Sequence, residues 1–150
     1  MLNSQKKLVQ STLPAIQKHG ETITREFYKE LFEVHPELKP MFASGDQENG
    51  TQAKRLAGAI LAYVGNLDRL DLLSGAVTTI AKKHVSLDVR PEHYPIVGRH
   101  LLSAIQKVLG DAATPEVLDA WGAAYMELSE IMIAREQAMC EEMEELVAAR

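Results

Sequence analysis

The sequence predicts an all-α fold in a single domain. Apolar residues recur at helical spacing nearly everywhere, and no segment alternates polar and apolar residues as a half-buried strand would. Gly20, Pro36, Pro91, Gly110 and Pro115 fall at the edges of the periodic stretches, where helices should begin and end. The first segment carries Leu8, Val9, Leu13 and Ile16, with Pro14 expected to kink or split it and Gly20 to end it. The second places Ile23, Phe27, Leu31 and Val34 on one face and stops at His35-Pro36, because a residue before proline is pushed out of the helical region. A proline-bounded turn leads to Met41-Phe42, and residues 44–50, rich in Gly, Asp and Asn, read as an exposed loop.

The next helix bears Leu56, Ile60, Val64 and Leu67. Another runs towards His84 with Leu70, Leu73, Val77 and Ile80 as its inward stripe, until residues 85–90 break the pattern. Pro91 then opens a helix at the favoured first position, and Gly110 closes it. Thr114-Pro115 is a cap followed by a first-turn proline. It starts the longest helix, whose inward face holds Leu118, Trp121, Tyr125, Leu128 and Met132 and which is expected to continue to the C-terminus.

At 150 residues the chain supports one core and therefore one cofactor site. Hydrophobic residues at 46% and charged residues at 25% are the mix of a water-soluble domain, and no run is long enough for a membrane span. The polar N-terminus, MLNSQKKLVQ, lacks the pattern of a secretory signal, so a cytoplasmic location is expected. Cys140 is the only cysteine, which excludes an internal disulfide and cysteine-cluster metal sites. A net charge of −5 without a basic stripe argues against nucleic acid as a partner. The acidic stretch from Glu141 to Glu145 reads as a solvated face.

His84 follows Leu73, Val77 and Ile80 at spacings of 11, 7 and 4, which places it on the inward stripe near its helix end. Periodicity alone leaves two readings open, a metal ligand and a histidine favoured by the helix dipole. Glu92-His93 and His100 offer a non-haem metal alternative with too few ligands. His19 and His35 sit near helix ends as surface or capping residues. The Glu-x-x-His pairs of di-iron bundles, H-E-x-x-H, phosphate-binding glycine loops and G-x-S-x-G are all absent.

A dense set of motifs resembles the globin portion of bacterial flavohaemoglobins and the single-domain bacterial haemoglobins. It comprises Phe27-Tyr28, Pro36-Glu37-Leu38, Phe42, Asn49-Gly50 with Gln52, the run from Ile80 to His84, and the run from Arg90 to Leu102. Ala120-Trp121-Gly122, Tyr125 and Arg135-Glu136 complete it. The resemblance covers residues 1–136 and implies a globin fold of about six to eight helices around one haem pocket, binding haem b (iron protoporphyrin IX). Residues 137–150 stand outside it as a C-terminal extension that continues the last helix. Their stripe of Met139, Met143 and Leu146 reads either as a solvated tail or as a homodimer contact.

The resemblance makes His84 the iron ligand, with Glu136 holding its other ring nitrogen and Tyr94 bracing the pair. Tyr28 and Gln52 match the hydrogen-bonding positions on the opposite face, and Leu56 fills the pocket above the iron. Phe42 packs against the porphyrin, and Ile60, Val97 and Leu101 line it. Lys83 pairs with a propionate, faces a reductase, or is simply exposed. The ligands implied are oxygen and nitric oxide, converted to nitrate with electrons from a separate flavin/NADH reductase, since nothing in these 150 residues matches the family's flavin and nicotinamide domains. A reversible oxygen carrier or supplier to a respiratory oxidase is the alternative, and a gas sensor a weaker one.

Overall fold

The computed structural model describes residues 2–41, 51–67 and 69–149, with only the backbone described for residues 51–57 and 70. Among the described residues the chain forms six α-helices and no strand: α1 (Asn3–Lys18), α2 (Gly20–Val34), α3 (Thr51–Gly65), α4 (Ser74–Ser86), α5 (His93–Leu109) and α6 (Pro115–Ala148). Short 3-10 turns occupy Pro36–Met41, Leu70–Leu73 and Gly110–Ala112. The loop expected at 44–50 lies outside the described residues. No described helix is long and apolar enough to cross a membrane.

Several expected boundaries move. α1 runs through Pro14 without a break, because Val9 and Ile16 are buried on either side of it and anchor both halves to one core. Thr12 reinforces this: it accepts the Trp121 indole N–H at 2.8 Å and donates to the Leu8 carbonyl at 2.7 Å. His19, not Gly20, caps α1, and Gly20 is already the first residue of α2. Ile23, Phe27 and Leu31 are buried as expected, but Val34 is 57% exposed. The helix outruns the core there, and the next buried position is Leu38 in the following turn. The Leu70–Ile80 stripe is not one helix, since residues 70–73 form a 3-10 turn before α4. Both helix types place positions i and i+3 on a similar face, so the stripe could not tell them apart.

Pro91 opens a turn rather than α5 itself. The amides of His93 and Tyr94 bond back three residues, to the carbonyls of Arg90 and Pro91, before the α pitch sets in. Gly110 ends α5 at φ +57°, a conformation that suits a residue without Cβ. Thr114 caps α6 by accepting the Val117 amide at 3.2 Å.

The main core joins α1, α2, α3, α5 and α6 around Val9, Phe27, Leu31 and Val64, the largest fully buried side chains. Truncating such a side chain leaves a cavity that costs about 2–5 kcal/mol. A smaller cluster of Ala81, Tyr94 and Met132, flanked by Val77, Ile80, Val89 and Met139, seals α4 against α5 and α6. Beyond it α6 projects from the body, with Met143 and Leu146 58% and 66% exposed.

Candidate functional site

The turn between α4 and α5 builds the site. Asp88 adopts φ +58°, in the left-handed region that Asp tolerates better than most residues. This lets the Val89 amide return to the His84 carbonyl at 3.0 Å, while Leu87 bonds the Lys83 and His84 carbonyls. α4 therefore closes just after His84, and the chain doubles back to bring Tyr94 against it.

Three side chains from three helices meet there. The Tyr94 hydroxyl lies 2.8 and 2.7 Å from the two carboxylate oxygens of Glu136 and donates to them. Nδ1 of His84 is 3.0 Å from the Tyr94 oxygen and 3.3 Å from Glu136 Oε2. With its proton on Nδ1, His84 donates to this pair and leaves Nε2 as a bare lone pair, the form in which imidazole binds a metal. Glu136 is 7% exposed, and a carboxylate so far from water requires the two donors it has. Burial, reinforced by Glu136, pushes the Tyr94 phenol well above its usual range, so it stays a donor.

Tyr28 is buried on α2 beside Phe27 and Phe32, with ring centroids 4.9 and 5.7 Å away. Burial raises its phenol too, keeping it protonated. Ile60 and Val97 are half-buried and Leu101 buried, all against the main core, whereas Lys83 is exposed. Phe42, and the side chains of Gln52 and Leu56, lie outside the described residues. Glu92, His93 and His100 do not come together as a metal site. His93 Nδ1 accepts the Arg90 amide at 2.9 Å, and buried His100 faces Glu30 at 3.6 Å. Among the described residues no group of three or more His, Cys, Asp or Glu side chains is placed to hold an ion. Burial would raise Glu30, but the Ser103 hydroxyl, Lys107 and His100 outweigh it and hold that carboxyl below its usual range.

The sequence reading missed the contact of Tyr125 with Tyr94. The Tyr125 hydroxyl donates to the Tyr94 carbonyl at 2.8 Å, and its ring lies directly over Gly98. The signal in the sequence was Gly98 itself, a glycine inside an otherwise regular helical pattern.

The donor set fits haem: one imidazole whose Nδ1 is held by Tyr94 and Glu136, leaving Nε2 for a metal, on a helix that also carries Val77, Ile80 and Ala81 of an apolar cluster. Comparison with known proteins specifies the class. The globin family model matches residues 25–132. Flavohemoproteins of Deinococcus radiodurans and Rhizobium meliloti are 56% and 47% identical over 90% and 93% of this chain. The chain spans about a third of the length of these relatives, 34% and 35%. A bacterial globin structure from Campylobacter jejuni superposes with TM-score 0.87 at 38% identity, covering 93% of this chain and 99% of that one. An engineered carbene transferase built on a candidate nitric oxide dioxygenase of Rhodothermus marinus gives 0.88 at 31% identity, covering 95% and 98%. A flavohemoglobin of Malassezia yamatoensis with bound FAD and heme gives 0.86 at 34%, covering 92% of this chain and 37% of that one. The chain belongs to the globin family, and the family implies a haem cofactor.

Proposed function

We propose that this chain binds haem b through His84 and converts nitric oxide and oxygen to nitrate, drawing electrons from a separate flavin reductase. The observation that carries the reading is the Tyr94 hydroxyl within 2.8 Å of Glu136 and 3.0 Å of His84. A ring nitrogen that donates into a buried carboxylate makes its imidazole more electron-donating, which favours oxygen activation over simple carriage. Haem supplies, when bound, an iron centre for gas binding and one-electron redox chemistry. The chain's own residues do the rest. His84 would hold the group through Nε2, Glu136 and Tyr94 fix the proton on Nδ1, and Tyr28 offers a hydrogen-bond donor in a water-poor pocket. By the family resemblance Gln52 would add a second donor, and Phe42, Leu56 and Val97 would supply apolar walls. Lys83, exposed beside His84, would meet a propionate or an approaching reductase.

The relatives named flavohemoprotein and the partly related carbene-transferase parent support this reading. The test is stopped-flow loss of nitric oxide over the ferrous, oxygen-equilibrated protein, with nitrate assayed. We expect rapid loss and one nitrate per haem with NADH alone, and continued nitrate formation once a flavin reductase is added. Slow nitric oxide loss together with fast, reversible oxygen release would favour an oxygen carrier.

A further inference from the structure

The three side chains all touch one another, but the Tyr94 hydroxyl makes the shortest contacts, 2.7 Å to Glu136 and 3.0 Å to His84 Nδ1, so what fixes Tyr94 bears directly on the site. At the start of its own helix the Tyr94 amide bonds to the Pro91 carbonyl at 3.2 Å, while Glu92 at the N-cap of α5 adds no side-chain capping bond. A second restraint comes from α6. Tyr125 donates to the Tyr94 carbonyl at 2.8 Å, and Glu136 accepts the Tyr94 hydroxyl. Tyr125 and Glu136 are 11 residues apart, about three turns of helix, so they face the same way. One face of α6 thus grips Tyr94 at both ends, backbone and hydroxyl.

Gly98 makes the grip sterically available. A Cβ at this position would stand 2.5 Å from Tyr125 Cε1 and 2.8 Å from Cδ1. The ring could move away only by giving up its hydrogen bond, since an aromatic ring does not flex. Gly98 is also four residues after Tyr94, the spacing at which its amide meets the same carbonyl in an α-helix. Glycine is a poor residue inside a helix, and its presence at the crossing of α5 and α6 has this packing reason.

We infer that Gly98 and Tyr125 are positioning residues for the proximal site, locking the first turn of α5 so that the Tyr94 hydroxyl reaches Glu136 and His84 together. The inference rests on the proposed role of His84, Tyr94 and Glu136. Without the Tyr125 hydroxyl, the first turn of α5 is free to shift, and the hydrogen bond at His84 Nδ1 weakens without any change in the residues that make it.

The test is the iron–histidine stretching band in resonance Raman spectra of the haem-loaded ferrous protein, recorded for wild type, Glu136→Gln, Tyr125→Phe and Gly98→Ala. Tyr125→Phe keeps the ring and loses only the hydroxyl, and we expect its band to move down as in Glu136→Gln, by a smaller amount. Gly98→Ala should shift the band at least as far as Tyr125→Phe. If that chain does not fold, the double variant Gly98→Ala/Tyr125→Leu, which removes the ring, should fold and show a lowered band. A wild-type band in Tyr125→Phe beside a lowered one in Glu136→Gln overturns the inference and leaves the proximal reading standing, even if Tyr125→Phe melts earlier. An unshifted band in Glu136→Gln overturns both.

Discussion

Glu136 illustrates how much a single residue depends on its partners. It is buried, bonded to Tyr94 of the cluster that holds Ala81 and Met132, where an unpaired carboxylate would be strongly disfavoured, and it stands there because Tyr94 and His84 both donate to it. The residue identities were readable in the sequence, but their meeting was implied only by the family resemblance and not by the local pattern. Glu136 lies 52 residues from His84, and helical periodicity relates only neighbours within a few turns. Without the family resemblance Glu136 would read as a surface carboxylate, and His84 as a helix-end histidine. If Tyr28 is the proposed donor to bound oxygen, Tyr28→Phe removes a hydrogen bond to a charged acceptor worth about 1.5–3 kcal/mol, and oxygen release should accelerate roughly 10- to 100-fold. Laser photolysis or stopped-flow displacement measures this, and an unchanged rate would move the donor to Gln52.

All four tyrosines share one electrostatic situation. Burial raises the phenols of Tyr28, Tyr63, Tyr94 and Tyr125 above their usual value. The unfolded chain releases these protons near pH 10, whereas the folded chain keeps them, so above that pH the unfolded state binds fewer protons. Stability is therefore fully present below about pH 10 and falls as pH rises past it. Tyrosinate absorbance at 295 nm should appear together with the loss of helical circular dichroism. Gradual ionisation near pH 10 with the helices intact would contradict the burial of these groups.

At the scale of elements, the helices were legible and several of their ends were not. Ile23, Phe27 and Leu31 announced α2, and Thr114-Pro115 announced α6, because caps and periodicity are local signals. Pro14 was misleading because the cost of a proline inside a helix is set against tertiary burial of Val9 and Ile16, which the local sequence does not display. The crossing of α5 over α6 escaped for a similar reason: Gly98 is visible, but the tyrosine that needs it lies 27 residues away. The α4–α5 turn offers a test at this scale. Asp88 sits at φ +58°, so Asp88→Val should cost about 1–2 kcal/mol and Asp88→Gly should be close to neutral. Urea denaturation of both variants checks it. Equal losses would mean that the carboxylate, and not the backbone conformation, is what the turn requires.

At the scale of the whole molecule, the chain is a globin body with a helix that runs past it. Residues 140–149 are exposed throughout, including Cys140, while Met139 still packs on the cluster around Tyr94. A chain ending after Met139 should keep its unfolding free energy within about 0.5 kcal/mol of the full chain and retain its haem spectrum. A larger loss, seen by thermal or chemical unfolding as a function of protein concentration, would show that the exposed Met143 and Leu146 are covered by a second copy.

The central claim is that His84, backed by Tyr94 and Glu136, is the protein's one ligand to haem iron. His84→Gly, reconstituted with haem and examined by visible absorption with and without imidazole, tests it most directly. The variant should lose most of its haem, and added imidazole, occupying the space left by the ring, should restore the wild-type spectrum. Full haem retention with an unchanged spectrum in His84→Gly, before any imidazole is added, would contradict it.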